Sequence, residues 1–318
     1  MRVAVAWDGR AVEVGDALMC GYGWSGQLCL AYSQNGYTWG WNRIEAQQTV
    51  DSVGLTYSPD TDQIWCAFRG TRTGRVFLAS SPAWEHIDTG VAALVGPGLA
   101  AAVNGAAPTD VLMVAFLDDP TSRIKVLCLD WGDARYYSGP WDTGESSHLA
   151  PAIVEWGGIP TVAYIGEDSH RVEVVQPFVG GGGVGEEDTV DFLDWGQLPP
   201  TGQSSRAAPA MAAFKGELWV AYLGEETNRI ELISFAYGAA AWSQRVVTTR
   251  TSSQSPAMAV FQEALYVAYV GVDDYLEVIT SADGVRWEPA TWMPILVPVG
   301  TGLAMITAPA AAYGVPVN

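Results

Sequence analysis

The chain is poor in positive charge. Of its 318 residues, 16 are Lys or Arg and 35 are Asp or Glu, which gives a formal net charge of −19. A nucleic-acid site needs basic side chains that displace counterions from phosphates. We therefore expect no nucleic acid as a partner.

Cysteine and histidine are also scarce, with four and three copies. The cysteines form no C-x-x-C pair and no zinc-binding spacing with the histidines, so we expect no metal and no cofactor. Cys20, Cys29, Cys66 and Cys128 all lie in apolar, strand-like runs, which favours buried free thiols. A disulfide between Cys20 and Cys29 across one hairpin stays open.

Long apolar runs are absent from the sequence. No stretch reaches about 18 apolar residues, so we expect no membrane span. The first residues, MRVAVAWDGR, are too short and too soon polar for a signal peptide. This predicts a cytoplasmic protein, or one secreted after processing or by a non-classical route, and leaves its oligomeric state open.

What the sequence does contain is a repeat. An apolar run that ends in Ala and an aromatic residue occurs seven times: LCLAY (28–32), IWCAF (64–68), LMVAF (112–116), TVAY (161–164), LWVAY (218–222), LYVAY (265–269) and PAAAY (309–313). A strand-like run precedes most copies, and a third run, often beginning with Arg, follows them. Four short strands in about 45 residues are typical of a β-propeller blade.

The spacing predicts an all-β fold, a single seven-bladed propeller domain over 1–318 with four-stranded antiparallel blades. Joining the two ends would place Arg2 seven residues after Tyr313, the spacing of Arg75, Arg123, Arg171 and Arg229 from their own aromatics. The last blade is therefore predicted to take strands 1 and 2 from the C-terminus and strands 3 and 4 from the N-terminus. The predicted blades are 16–50, 51–94, 95–146, 147–203, 204–251, 252–299, and 300–318 with 1–15.

Loops that join strands 2 and 3, and those that lead to the next blade, should share one face. Paired acids occur in four of the former turns: Asp118 and Asp119, Glu167 and Asp168, Glu225 and Glu226, and Asp273 and Asp274. Acids suit tight turns because their side chains satisfy local amides. The alternative is a ring of carboxylates that binds hydroxyls or a cation.

Other candidates are individual side chains. His148 and His170 are expected at one end of the fourth blade, near Glu167 and Asp168, where a His beside a carboxylate can act as a catalytic base. Further candidates are Arg69 and Arg72 for an anionic ligand, Trp24 and Trp39 as exposed aromatics, and the Gly-rich stretch 179–189 as a flexible loop or flap.

The stretch 252–287, with its Pro-Ala strand and its LYVAY strand, resembles bacterial seven-bladed propeller lectins of the fucose-binding insect-pathogen type. SADGVRW (281–287) is similar to the sialidase Asp-box, a structural turn. The lectin resemblance implies sugar pockets between neighbouring blades, each with an aromatic platform and polar groups. We predict a binding propeller for glycans or another small-molecule ligand; the alternatives are a hydrolase or lyase in the central mouth, and a protein-interaction scaffold.

Overall fold

The computed structural model describes residues 3–5, 11–13, 16–24, 27–58, 61–102, 111–130, 136–178, 194–297 and 302–309. Their regular structure is β, as expected for short apolar runs that are rich in Val, Ile and aromatics and separated by turn residues. The strands are β1 (Val3–Val5), β2 (Ala11–Glu13), β3 (Asp16–Trp24), β4 (Gln27–Ser33), β5 (Gly40–Ser58), β6 (Gln63–Gly70), β7 (Arg75–Ser80), β8 (His86–Ala92), β9 (Gly98–Ala102), β10 (Val111–Leu117), β11 (Arg123–Asp130), β12 (Tyr136–Ser146), β13 (Ala152–Trp156), β14 (Ile159–Ile165), β15 (Val172–Pro177), β16 (Trp195–Gln197), β17 (Ala210–Phe214), β18 (Glu217–Leu223), β19 (Arg229–Ala236), β20 (Val246–Thr251), β21 (Ala257–Phe261), β22 (Ala264–Val270), β23 (Tyr275–Ser281), β24 (Thr291–Leu296) and β25 (Leu303–Pro309).

Strands β3 to β25 form six four-stranded antiparallel blades of a propeller. Blades 3 to 6 are the consecutive sets β9–β12, β13–β16, β17–β20 and β21–β24. Blade 1 has the order β25, β3, β4, β5, and blade 2 the order β5, β6, β7, β8. These two blades share the long strand β5, whose first part pairs with β4 and whose last part pairs with β6.

The prediction of seven blades is wrong. Strand β25 is not the start of a further blade, because it pairs along its length with β3 and becomes the inner strand of blade 1. LCLAY, in β4, is consequently a third strand and not a second one. The sequence did not separate these roles because β3 and β4 are both apolar and buried.

The predicted closure by the two termini also fails in its described part. Val3–Val5 pairs with Ala11–Glu13 in a separate two-stranded sheet. The proposed partner of Arg2–Val5, Ala310–Tyr313, lies outside the described residues, as does the Gly-rich stretch 179–189. The ring is closed instead at blade 1, where the late strand β25 joins the early strand β3.

Apolar clusters lie between each pair of neighbouring blades. In β22, for example, Leu265, Val267 and Tyr269 pack against blade 5, while Tyr266 and Ala268 pack against blade 1. Strands buried on both faces are apolar throughout, and each fully buried large side chain contributes about 1.5–3 kcal/mol. The four cysteines are buried in these clusters or beside them as free thiols.

The inner strands surround a central channel of about 450 Å³. They approach closely: a Cβ on Gly54 would lie 2.5 Å from the Leu99 nitrogen, and one on Gly98 would lie 2.6 Å from the Pro151 oxygen. Glycine at these positions lets neighbouring backbones meet. In the described part of the chain, no helix is long and apolar enough to cross a membrane.

Candidate ligand-binding site

Each blade from 2 to 6 carries a row of side chains across its second, third and fourth strands. Residues directly opposite in antiparallel strands project from the same face of the sheet. We call each set an inter-blade row and number it by its blade, because its aromatic packs against the preceding blade. The rows are Phe68, Phe77 and Asp88 (row 2); Phe116, Lys125 and Asp142 (row 3); Tyr164 and Glu173, with Gln197 (row 4); Tyr222, Glu231 and Val247 (row 5); and Tyr269, Glu277 and Trp292 (row 6). Gln197 is opposite Val175, two residues after Glu173, and joins row 4 through its hydrogen bond to Tyr164.

In each row, the residue two positions after the second-strand aromatic lies at the turn and packs against the third-strand side chain. In row 5, a Cβ on Gly224 would lie 2.3 Å from Oε1 of Glu231, and in row 6 a Cβ on Gly271 would lie 2.4 Å from Oε1 of Glu277. Gly166 leaves the same space for Glu173 in row 4. These glycines therefore let a glutamate fold back under the turn.

In rows 2 and 3, the turn residue and the third-strand residue are not a glycine and a glutamate. A Cβ on Gly70 would lie 2.6 Å from the Phe77 ring, which stacks on Phe68 with centroids 5.8 Å apart. In row 3 the turn residue is Asp118, and its Oδ2 lies 3.0 Å from Nζ of Lys125. Row 2 is thus apolar at its centre, and row 3 is neutralised by its own ion pair.

Row 4 is polar and partly covered. The Gln197 amide donates to the Tyr164 hydroxyl at 3.2 Å and to Oε1 of Glu145 at 3.0 Å. Glu145 belongs to β12 of blade 3, so the row combines groups from two blades. On the other side, the Ser169 hydroxyl donates to Glu173 at 2.9 Å.

Row 5 is closed. The Tyr222 hydroxyl donates to Gln203, from the connection before blade 5, at 2.9 Å. Nη1 of Arg245 donates to Oε2 of Glu231 at 3.1 Å, and the Thr227 hydroxyl donates to Oε1 at 3.3 Å. Only 2% of the Glu231 side chain is exposed.

Row 6 is open. The Tyr269 hydroxyl donates to Oε2 of Glu277 at 2.5 Å, and Glu277 is half-buried. Opposite Glu277 stands Trp292, which is 55% exposed and packs edge-on against Tyr275 at 5.0 Å. Arg250 of blade 5 is half-buried, and its guanidinium makes no hydrogen bond or ion pair with the rest of the described chain.

The row tyrosines are hydrogen-bond donors over the whole physiological pH range. Burial raises the pKa of Tyr164, Tyr222 and Tyr269, and the neighbouring glutamates raise it further. Arg250 acts on the pKa of Tyr269 in the opposite direction, and it belongs to blade 5, against which Tyr269 packs. Row 6 therefore offers a neutral hydroxyl, a carboxylate, a guanidinium and an aromatic face.

The paired acids of the turns do not come together as a ring. Asp118 binds Lys125, Glu167 lies 3.2 Å from His148, and Glu225 lies 3.8 Å from Arg206. The other five lie in the turns and are partly or fully exposed, namely Asp119, Asp168, Glu226, Asp273 and Asp274. Asp274 has a positive φ of 61°, which Asp and Asn tolerate well. At Asp274 this conformation fits the turn-chemistry interpretation.

The histidine candidates lie at the surface. Nε2 of His148 is 3.2 Å from Oε1 of Glu167, and its side chain is 65% exposed. His170 is exposed and ends its turn with a φ of 53°. Neither lines the central channel, where the charged residue of the described lining is Glu155, which accepts from the Gly158 backbone N–H.

The arginine candidates are separated in the structure. Arg69 donates to Asp51 at 2.9 Å and to the Ala93 carbonyl at 2.7 Å, which joins its strand to the start of the blade and to the next connection. Arg72 is exposed in the following turn. Arg69 is thus already satisfied by the fold, and the structure does not pair it with Arg72.

Trp24 and Trp39 both take part in packing. The Arg43 guanidinium lies 5.4 Å from the Trp24 ring, which also meets Trp41 edge-on. Trp39 packs against the cluster between blades 6 and 1, and its Nε1 donates to the Gly36 carbonyl at 3.3 Å.

SADGVRW forms a closed turn between β23 and β24. Asp283 accepts from the backbone N–H groups of Val285 and Arg286, both at 2.8 Å, and Ser281 accepts from Gly284. SQNGYTW (33–39) makes the same bonds with Asn35 in place of the acid. This turn joins the third strand β4 to the fourth strand β5, at the same place in blade 1 as SADGVRW in blade 6.

Sequence reasoning missed Glu277 and Arg250 as site residues. A signal was present: Tyr-x-Gly followed by a third-strand Glu occurs in blades 4, 5 and 6, at Tyr164, Tyr222 and Tyr269. Blades 2 and 3 have Phe and no such Glu. The Ala-aromatic phrase is common to these five blades, whereas the combination of Tyr-x-Gly and Glu is confined to blades 4 to 6.

The fold and the rows define a six-bladed propeller with polar sites between blades. No protein-family model and no curated protein sequence matches the chain. Similar solved structures include the fucose-specific lectin from Aleuria aurantia, with 12% identity, a TM-score of 0.61 and coverage of 90% of this chain and 97% of that one.

Two further structures have comparable similarity. The SapL1 lectin, solved with alpha methyl fucoside, has 14% identity and a TM-score of 0.58, over 93% of this chain and 98% of that one. A chain of the nidogen/laminin complex has 14% identity and a TM-score of 0.58, over 92% and 98%. At such identities the similarity establishes the propeller fold.

Proposed function

We propose that this protein is a carbohydrate-binding propeller and that row 6 is its glycan site. The observation that carries the proposal is the state of Arg250 and Glu277. Among the described residues, the half-buried guanidinium of Arg250 has no hydrogen-bond or ion-pair partner, and the half-buried carboxylate of Glu277 has a partner at Oε2 alone. Arg250 belongs to blade 5, against which Tyr269 packs, and Glu277 stands beside the exposed Trp292.

The chemistry of the row suits a sugar. Arg250 can donate charge-assisted hydrogen bonds to ring and hydroxyl oxygens, and the free Oε1 of Glu277 can accept from a hydroxyl. The exposed Trp292 ring offers an apolar face for sugar C–H groups. Because Tyr275 packs against Trp292, the platform is held in place before a ligand binds.

Two of the similar structures support the same conclusion, since one is a fucose-specific lectin and the other is a lectin in complex with alpha methyl fucoside. The nidogen/laminin chain shows that the same fold also occurs in a protein complex. The proposal therefore depends on row 6 and not on the fold alone.

The test is a glycan array followed by calorimetric titration with a panel of methyl glycosides of fucose, galactose, mannose and N-acetylglucosamine. We expect one panel member to bind, and Trp292→Ala and Glu277→Gln each to weaken it at least tenfold, since losing a buried ring face costs about 1.5–3 kcal/mol. Tyr237→Ala, another exposed aromatic, is the control and should bind normally.

No binding on the array and in the titration would overturn the proposed function. Binding that Trp292→Ala and Glu277→Gln leave unchanged would overturn row 6 as its site.

A further inference from the structure

In rows 5 and 6, the residue at the entry to the fourth strand decides whether the row is covered. It lies two positions before the residue opposite the third-strand side chain, so it projects from the same face. Arg245 holds this place in row 5, and Ala290 holds it in row 6. In row 2 the place belongs to His86, whose ring meets the Phe77 ring at 5.5 Å.

In row 5 this side chain spans the space over the glutamate. Arg245 starts just before β20 and reaches Oε2 of Glu231 at 3.1 Å, while half of its own side chain stays exposed. Glu231, with 2% of its side chain exposed, is thereby removed from solvent. The guanidinium takes the hydrogen-bonding position that an external donor would need.

In row 6 nothing comparable is present among the described residues. The methyl group of Ala290 packs with the cluster that contains Tyr269 and cannot reach Glu277. Apart from this difference, rows 5 and 6 have the same arrangement on their second and third strands. Tyr222 is opposite Glu231 in row 5, and Tyr269 is opposite Glu277 in row 6.

We propose that row 5 is a second glycan site of the same kind, which Arg245 keeps closed by occupying the ligand's place. This inference rests on the proposed function of row 6. It implies that the protein binds one glycan per chain and that Arg245 is one of the side chains that prevent a second glycan from binding at row 5.

Row 5 also lacks a platform, because Val247 stands where row 6 has Trp292. Val247 is exposed, so a larger side chain fits there without repacking. The variant Arg245→Ala with Val247→Trp thus uncovers Glu231 and supplies an aromatic face, while the Tyr222 hydroxyl stays bound to Gln203.

The experiment is titration with the same methyl glycoside panel, counting sites per chain. The parent should bind one molecule and Arg245→Ala/Val247→Trp two. Because that variant leaves Glu231 without its partner, a second variant works from the other side. Ala290→Arg should close row 6 and weaken binding at least tenfold, whereas Thr291→Arg, on the opposite face of the strand, should not.

One site per chain in both the parent and a folded Arg245→Ala/Val247→Trp, or normal binding by Ala290→Arg, would overturn the inference and leave the proposed function standing. A parent that binds no panel member and no array glycan would overturn both.

Discussion

Rows 5 and 6 share a tyrosine and a glutamate, yet the glutamate is buried under Arg245 in one and faces Trp292 in the other. Rows 2 and 3 differ more strongly from row 6. Row 2 has two stacked phenylalanine rings in place of the tyrosine and the glutamate, and row 3 has a lysine that is paired with an aspartate of its own turn. The backbone of the blades is common to all of them. Two or three side chains per blade therefore set whether a space between blades is filled, neutralised, covered or open.

The largest expected effect comes from uncovering row 5. Arg245→Ala leaves the buried Glu231 carboxylate unpaired and should cost about 2–4 kcal/mol, less than a fully buried pair because half of Arg245 is in water. Urea unfolding measures this. Adding Glu231→Gln should recover most of the loss, and a change below about 0.5 kcal/mol for Arg245→Ala would contradict the buried-pair description.

Replacing Gly224 and Gly271 by alanine should lower the free energy of unfolding by different amounts, because Glu231 is buried and Glu277 is only half-buried. Gly224→Ala places a methyl against the buried Glu231 and should cost about 1–3 kcal/mol of overpacking. Gly271→Ala should cost less, because the half-buried Glu277 can turn toward solvent. Thermal unfolding of the two variants checks the order, and equal losses would remove the distinction between a closed and an open row.

Row 3 tests whether the turn residue and the third-strand residue depend on each other. Lys125→Glu brings a carboxylate to within reach of Asp118 and should destabilise the protein by about 1–2 kcal/mol. Asp118→Gly in the same chain should recover part of this, since it recreates the Gly–Glu pair of rows 4 to 6. Purely additive losses in a double-mutant cycle would argue against the pairing.

The smallest effect concerns the turn that leads to the fourth strand of row 6. Hydrogen bonds from the backbone N–H groups of Arg286 and Val285 lower the pKa of Asp283 from its ordinary value of 3.8. Its contribution is therefore fully present above that value and is lost as the pH falls through the lower pKa of the folded state. The matching turn of blade 1 has Asn35, which does not titrate.

Amide protection from hydrogen exchange between pH 5 and pH 2 checks this. Protection should fall at Val285 and Arg286 and persist at Tyr37 and Thr38. Asp283→Asn should remove the difference. Parallel loss in both turns would show that the carboxylate is not responsible.

The propeller could be predicted from the sequence, but its blade number could not. The Ala-aromatic pattern marked the second strands of five blades correctly, at Phe68, Phe116, Tyr164, Tyr222 and Tyr269. It failed in blade 1, where Leu28–Tyr32 fits the pattern but forms the third strand, because β25 arrives from the far end of the chain to take the inner place. Such a pairing is decided by long-range packing and leaves no local signal.

The site was less predictable than the fold. The paired acids drew attention to the turns, where three of them form ion pairs: Asp118 with Lys125, Glu167 with His148 and Glu225 with Arg206. Glu277 and Arg250 lie on different blades, and only the ring brings them near one tyrosine. The sequence does not show which tryptophans are exposed, and the structure identifies Trp292 as one whose ring faces solvent, unlike those that fill the spaces between blades.

The most direct measurement of the central claim is a crystal structure of the protein with the methyl glycoside that it binds. The account predicts one sugar per chain, stacked on Trp292 and hydrogen-bonded to Glu277 and to Arg250 of the neighbouring blade. A sugar bound in the central channel, or at the turn tips away from row 6, would contradict it.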